Sequence, residues 1–250
     1  MAALPSSFSL SLDGSSATPA YLQVARAVSQ LIESGTLPEG TALPSERDLS
    51  AHLALSRVTV RQALRVLEEQ GLVVRRQGSG TFVAPRRIVQ PLSVLTGFSE
   101  DMRARGLVPG GRVLSFEMGR PSPQEAMNLG QSPLLDVVRL RRLRMADGEP
   151  VAIETSVLPA RLLDGAPRER LERGSLYELL RERGFTPARA MQHLRATEAD
   201  EETAALLHLA PRGAVLATER VTWDASGGVL EFARSQYRGD RYDFVVELQH

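Results

Sequence analysis

The fold of the N-terminal part of the 250-residue chain is decided by two stretches, Leu43-Pro-Ser-Glu-Arg-Asp-Leu49 and Ser56-Arg-Val-Thr-Val-Arg-Gln-Ala-Leu64. Ser45 and Ser56 each precede a helical pattern, and a serine there can accept a hydrogen bond from the first free N–H groups of a helix. The apolar residues that follow recur at helical spacing. The pattern therefore predicts a short helix, a turn, and a second helix that Gly71 ends.

The flanking residues extend this pair of helices into a larger unit. Upstream, apolar residues within 21–32 recur on one helical face, and Gly35 helps to end that helix. Downstream, residues 72–76 and 81–83 have the composition of two strands, with residues 77–80 as the loop between them. Two short helices joined by a tight turn and followed by strand, loop and strand are typical of a winged helix-turn-helix.

The first turn of the second helix is the part of such a motif that meets base edges in a major groove. Arginine can pair bidentately with guanine, and the methyl group of threonine can touch that of thymine. The start of the preceding helix can bind a phosphate, and a glycine in the wing lets the backbone approach the DNA. The candidate DNA-contacting residues are Ser45, Arg47, Ser56, Arg57, Thr59, Arg61 and Gly78. The alternative interpretation of these arginines is an ordinary solvated helix face.

Charge and composition narrow the class of protein without deciding its function. The chain has 30 basic residues, all of them arginine, and 30 acidic residues, so its net charge neither supports nor excludes DNA binding. The absence of cysteine excludes disulfides and thiolate metal sites. The N-terminus lacks the features of a signal peptide, and no stretch approaches the roughly 18 apolar residues of a membrane span. We therefore expect a cytoplasmic protein with no membrane partner.

A boundary between two domains is predicted near residues 84–91, where two prolines bracket a short basic run. The domain assignment that follows is a disordered tail at 1–18, a winged helix-turn-helix at 19–84, a flexible linker at 85–91 and a second domain at 92–250.

The second domain has the pattern of consecutive hairpins. Asp147-Gly148 predicts a turn between strands at 134–145 and 151–158, and another hairpin joins 215–223 to 229–237. Further strands are predicted at 113–118 and 242–248, and helices at 100–105, 176–183 and 199–207. Together these elements predict an α+β domain with a mainly antiparallel sheet.

Polar residues at even spacing mark a candidate ligand site in this domain. Arg142 and Arg144 share one face of a strand, and two arginines on one face can bind a phosphate or a carboxylate. Glu154 shares a face with Ser156 on the next strand, and Glu231 and Tyr237 share a face of a later one. The alternative interpretation is that these charges only form cross-strand pairs.

The N-terminal motifs resemble the GntR family of bacterial regulators. The resemblance rests on the two stretches quoted above, on Leu67-Glu-Glu-Gln-Gly-Leu72 and on Gln77-Gly-Ser-Gly-Thr-Phe-Val83, in order and without gaps. Members of this family bind palindromic operators as dimers. The resemblance therefore implies a homodimer bound to double-stranded DNA through the residues proposed above.

The second domain is similar to the HutC-type effector domain, called UTRA, whose fold resembles chorismate lyase. The similarity rests on Leu95-Thr-Gly-Phe-Ser99, on residues 142–156, on Ser175-Leu-Tyr-Glu-Leu-Leu180 and on residues 231–242. It implies that Phe98, Ser99, Arg142, Arg144, Ser175 and Tyr177 hold an anion and that Glu154, Glu231 and Tyr237 contact the rest of the ligand. Gly97 departs from the serine or threonine that is usual there, which leaves the identity of the effector open.

The sequence thus predicts a ligand-responsive DNA-binding transcription regulator, a repressor whose second domain binds a small anionic metabolite, with a sugar phosphate favoured. The alternative is an enzyme of chorismate-lyase-like fold fused to a DNA-binding module. The sequence contains no nucleophile–base constellation, and its four histidines are scattered. We expect no catalytic site, no metal and no cofactor.

Overall fold

The computed structural model describes residues 13, 16–76, 78–85, 87–166, 170–171 and 174–248. Most of the predicted tail, Gln77 of the predicted wing loop and Arg86 of the predicted linker lie outside the described residues. The chain divides into two compact units between residues 86 and 87. Within the part that is described, no helix is both long and apolar enough to cross a bilayer.

The first unit consists of three helices and a two-stranded sheet. Its elements are α1 (Ala20–Glu33), α2 (Glu46–Leu53), α3 (Arg57–Glu69), β1 (Val73–Arg76) and β2 (Gly80–Val83), with β1 and β2 antiparallel. The apolar stripes of the helices meet in one core, which includes Val28, Leu49, Val60, Leu64 and Leu67. The winged helix-turn-helix predicted from the motifs is therefore the fold of this unit.

Serine caps begin both helices of the helix-turn-helix, as the sequence predicted. The hydroxyl oxygen of Ser45 accepts a hydrogen bond from the N–H of Asp48 at 3.2 Å, and that of Ser56 accepts one from the N–H of Thr59 at 3.1 Å. Ala54 turns the chain between the helices with a φ of 53°. These local contacts fix where α3 begins, and therefore which side chains lie on its first turn.

The second unit is built on one six-stranded antiparallel sheet with the order β4-β5-β6-β9-β8-β7. The strands are β4 (Pro109–Gly119), β5 (Val137–Ala146), β6 (Glu149–Pro159), β7 (Pro187–Glu198), β8 (Ala214–Asp224) and β9 (Val229–Arg238). The α-helices of this unit whose bounds fall entirely within the described residues are α4 (Phe98–Ala104), α5 (Pro123–Leu129), α6 (Leu176–Glu182) and α7 (Glu201–Leu206). The predicted α+β class with a mainly antiparallel sheet is confirmed.

The structure pairs part of the predicted linker with the second unit. Strand β3 (Ile88–Pro91) lies parallel to β10 (Tyr242–Val245), with Ile88 opposite Tyr242. Both of these side chains are buried in one cluster with Met102 and Tyr237. Residues 88–91 are therefore a paired strand and not a flexible linker, because burial of Ile88 and the ladder hydrogen bonds order them.

Two further elements were not predicted. Strand β7 is exposed on both faces along most of its length, so its sequence lacks the alternation that reveals a half-buried strand. Helix α5 has a serine cap, a proline at its first position and Glu125 three residues after the cap, which together form a capping box. That second pattern is readable from the sequence alone.

Candidate nucleic-acid interface and ligand cavity

The first turn of α3 is exposed and accessible to a large partner. Val58 is 72% exposed although it is apolar, and Arg57 is also exposed. The hydroxyls of Ser56 and Thr59 lie 2.8 Å apart and form a hydrogen bond with each other. These two predicted contact residues therefore order the start of the helix that presents Arg57 and Val58.

Arg61, another predicted DNA contact, is engaged in an ion-pair network that the sequence did not reveal. Its Nε and Nη2 donate to Oε2 of Glu46 at 3.1 and 3.0 Å. Arg75 of the wing donates to the other oxygen of Glu46 at 2.8 Å. Glu46 thus joins α2, α3 and β1, and Arg61 must exchange this partner before it can contact a base.

The start of α2 and the wing form the two sides of one groove. Its lining residues are Pro44, Ser45, Glu46, Arg75, Arg76, Gly78, Gly80 and Thr81. The predicted contacts Ser45 and Gly78 therefore lie on the same groove. Gly78 has a φ of +74°, which favours glycine and explains its place in the wing. Arg47 projects beside this region with a side chain that is 73% exposed.

The second unit contains a small cavity of about 20 Å³ on one face of the sheet. It is lined by Gly97, Phe98, Arg142, Arg144, Glu154, Ser175, Leu176, Tyr177, Arg220 and Glu231. The same face of the sheet also carries buried small side chains, and the cross-strand register places them there: Ser156, Thr218, Ala233 and Ser235. Small residues in the middle of the sheet leave the space that the larger polar residues surround. Seven of the nine predicted effector residues line this space.

Arg142 and Glu154 form a buried ion pair between directly opposite residues of β5 and β6. Burial raises the pKa of Glu154, but the charges of Arg142 and Arg144 outweigh it and lower the pKa to about 2. Glu154 is therefore ionised at neutral pH. The pairing agrees with the alternative cross-strand interpretation, but it uses only one nitrogen of Arg142.

Arg144 is held by the start of α4. Its guanidinium lies over the ring of Phe98 at 4.3 Å from the ring centre, and its Nη2 donates to the hydroxyl of Ser99 at 3.1 Å. Burial, followed by the nearby charge of Arg142, lowers the pKa of Arg144 to about 10. Ser99 does not line the cavity, so its place is behind Arg144, which it orients.

Tyr177 and Glu231 form the opposite part of the cavity wall. The hydroxyl of Tyr177 donates to Oε2 of Glu231 at 3.0 Å and lies 3.0 Å from the hydroxyl of Thr222. Burial, followed by the charge of Glu154, raises the pKa of Glu231. A Cβ on Gly97 would approach the Tyr177 ring to 3.3 Å, so the glycine leaves room for this tyrosine.

The two remaining predicted residues have different placements. Ser175 lines the cavity and caps α6, accepting a hydrogen bond from the N–H of Glu178 at 3.3 Å. Tyr237 does not line the cavity, and its ring packs on Tyr242 and Phe244 with centre distances of 4.6 and 5.2 Å. Tyr237 thus supports the core beside the cavity.

Arg220 is a charged cavity residue that the sequence analysis did not predict. It lies on β8, on the same face as Thr218 and Thr222. The even spacing that identified Arg142 and Arg144 on β5 applies equally to Arg220, Thr218 and Thr222, so this strand offered the same signal.

Comparisons with known proteins agree with both units. Residues 20–83 match the family model described as bacterial regulatory proteins, gntR family, and residues 104–243 match the UTRA domain. The chain is 35% identical to the HTH-type transcriptional repressor NagR of Bacillus subtilis, over 94% of this chain and 97% of the relative. It is 33% identical to the regulator GgaR of Escherichia coli K12, over 92% and 91%. The crystal structure of PhnF from Mycobacterium smegmatis has a TM-score of 0.72 and 32% identity, covering 90% of this chain and 99% of that one.

Proposed function

Because this chain belongs to the GntR family of bacterial regulators and carries a UTRA domain, we propose that it is a repressor whose operator affinity changes when a small anionic metabolite binds in the cavity. It is a DNA-binding transcription regulator and not the enzyme of the alternative interpretation. The finer elements of the proposal are a homodimer, a palindromic operator and a sugar phosphate as effector. The relative NagR is named a repressor, which supports repression and not activation as the action of this chain.

The proposal that the effector is anionic rests on a set of buried guanidinium nitrogens without partners. Nε and Nη1 of Arg142 and Nε of Arg144 have no hydrogen-bond acceptor among the described residues. An unsatisfied buried donor costs about 1–3 kcal/mol, and more when it is charged. A phosphate or carboxylate in the cavity would supply the missing acceptors with charge-assisted hydrogen bonds.

The rest of the wall supports a hydroxyl-rich ligand. Glu154 and Glu231 offer carboxylate oxygens as acceptors, and the Ser175 hydroxyl can donate or accept. This lining is suited to a compact polar molecule and not to a large apolar one. A sugar phosphate combines both requirements, because its phosphate faces the arginines and its hydroxyls face the acidic residues.

Thermal unfolding of the full-length protein with single ligands tests the proposal. We expect glucose 6-phosphate or a related sugar phosphate to stabilise the protein, by about 2.7 kcal/mol at one hundred times its dissociation constant. Arg144→Gln should abolish this stabilisation, because it removes the charge at the phosphate. Arg234→Gln is the matched control, since Arg234 is an exposed arginine on β9.

The same ligand must also change operator binding. We expect it to alter the dissociation constant for operator DNA by about 5- to 150-fold, the usual range of allosteric coupling. Stabilisation by a sugar phosphate without any change in operator affinity would refute the regulatory part of the proposal. Failure of every phosphorylated compound to stabilise the protein would refute its ligand class.

A further inference from the structure

Arginines approach the cavity from two separate parts of the sheet. Arg142 and Arg144 lie on β5 and Arg220 lies on β8, with β6 and β9 between these strands. At a strand spacing of about 4.8 Å, the backbones of β5 and β8 are about 14 Å apart. The three side chains therefore reach the same cavity from opposite sides.

Arg220 is not bonded directly to either carboxylate of the cavity, although the charges of Glu231 and Glu154 act on it. Its Nε is buried without a hydrogen-bond acceptor, and it forms no ion pair within the described parts of the chain. Arg142, by contrast, is paired with Glu154, and Arg144 is bonded to Ser99 and stacked on Phe98. A buried guanidinium N–H on the wall of a cavity normally has an acceptor, and Nε of Arg220 lacks one.

The three arginines of the cavity differ in whether a carboxylate pairs with them directly. Three arginines face two carboxylates, Glu154 and Glu231, and Glu154 is already engaged by Arg142. Glu231 accepts a hydrogen bond from Tyr177 and not from Arg220. A single phosphate at Arg142 and Arg144 would leave Arg220 without an acceptor, about three strands away.

We propose that Arg220 binds a second acidic group of the effector, so that the ligand of this chain is anionic at both ends, as a phosphorylated sugar acid is. The phosphate lies at Arg142 and Arg144, and the carboxylate lies at Arg220. This inference rests on the proposed function, since it places the phosphate at the site described there. It makes Arg220 the residue that distinguishes sugar acid phosphates from neutral-ended sugar phosphates.

Two compounds with the same number of carbons test this assignment. Glucose 6-phosphate carries a phosphate at one end only, whereas 6-phosphogluconate carries a phosphate and a carboxylate at opposite ends. We expect the full-length protein to bind 6-phosphogluconate about 10- to 100-fold more tightly in calorimetric titration, which is the usual effect of a hydrogen bond to a charged group. Arg220→Gln should remove this preference and change the affinity for glucose 6-phosphate by less than about threefold.

The control variant and the contrary outcomes separate this inference from the proposed function. Arg234→Gln, on the neighbouring strand β9 but exposed, should preserve the preference. Equal affinity of the unaltered protein for both compounds, or an equal loss for both in Arg220→Gln, would refute the role of Arg220 and leave the phosphate site intact. Binding of neither compound would refute the phosphate site itself, and the inference with it.

Discussion

Arg57 and Arg61 lie one helical turn apart on α3, but their side chains are in different states. Arg57 is exposed and has no ion pair among the described residues, whereas Arg61 is bound by Glu46 together with Arg75. Arg57 can therefore contact a base without losing an existing partner. Arg61 gains less from the same contact, because its bond to Glu46 must first break.

Replacement of Arg57 tests this distinction. We expect Arg57→Ala to cost about 1–3 kcal/mol of specific operator binding and to relax the preference at one base pair. Fluorescence anisotropy with operator variants would measure both effects. Arg65→Ala is the control on the same helix, since Arg65 is already paired with Glu69, and it should change affinity little. Unchanged operator affinity in Arg57→Ala would exclude Arg57 as a base-reading residue.

Helix α5 shows how one element is attached to the sheet. Glu125 caps its own helix by accepting from the N–H of Ser122 at 2.7 Å, and it also accepts from Nε of Arg139 on β5 at 2.8 Å. Glu125 is only 4% exposed. The bond to Arg139 is the largest influence on Glu125 and lowers its pKa from 4.5 to about 2.

This lowered pKa predicts a stability that depends on pH. The contribution of Glu125 is complete above about pH 4.5 and is lost as the pH falls toward 2, because the unfolded chain then binds the proton more strongly. We expect Glu125→Gln to lower the free energy of unfolding by about 2–3 kcal/mol at pH 7 and by much less near pH 2. Urea titrations followed by Trp223, the only tryptophan, would report this for the second unit.

A matched acidic residue serves as the control for that experiment. Glu198 is paired with Arg212, but both side chains are more than half exposed. Glu198→Gln should therefore cost less than about 1 kcal/mol at any pH. A pH-independent loss in Glu125→Gln would show that the helix cap alone, and not the ionised carboxylate, stabilises α5.

At the scale of the whole molecule, the pairing of β3 with β10 holds the first residues of the second unit against the last strand of that unit. Ile88 of β3 packs with Tyr242 and Tyr237, and the Phe98 ring that stacks on Arg144 belongs to the same cluster. A ligand that shifts Arg144 and Phe98 would therefore act on the strand through which the chain continues toward the DNA-binding unit. Such a connection is the physical basis that we expect for the effector response.

Replacement of Tyr242 tests this connection. Tyr242→Leu keeps an apolar side chain in the cluster but removes the ring contact with Tyr237 at 4.6 Å. We expect ligand affinity to change by less than about threefold, while the ligand-induced change in operator affinity falls to less than half of its original free energy. Val245→Ala, at an exposed position of the same strand, is the control. An unaltered response in Tyr242→Leu would exclude this path.

The sequence by itself determined the winged helix-turn-helix, the two antiparallel hairpins and most of the polar residues around the cavity. These features depend on local rules, because serine caps, helical periodicity and strand alternation are set by neighbouring residues. Arg142, Arg144, Glu154 and Glu231 were predicted because each lies at even spacing on a strand of a hairpin whose turn the sequence marks.

Only the tertiary structure decided which of these residues meet and in what state. It placed Arg220 at the cavity, set Ser99 behind Arg144, moved Tyr237 into an aromatic cluster and paired Ile88–Pro91 with the last strand. It also bound Arg61 to Glu46, 15 residues earlier in the chain. Each of these facts depends on contacts between distant segments. Even spacing can mark the face of a strand, as it does for Arg220, but the local pattern does not contain the cross-strand order and the burial that bring these residues together.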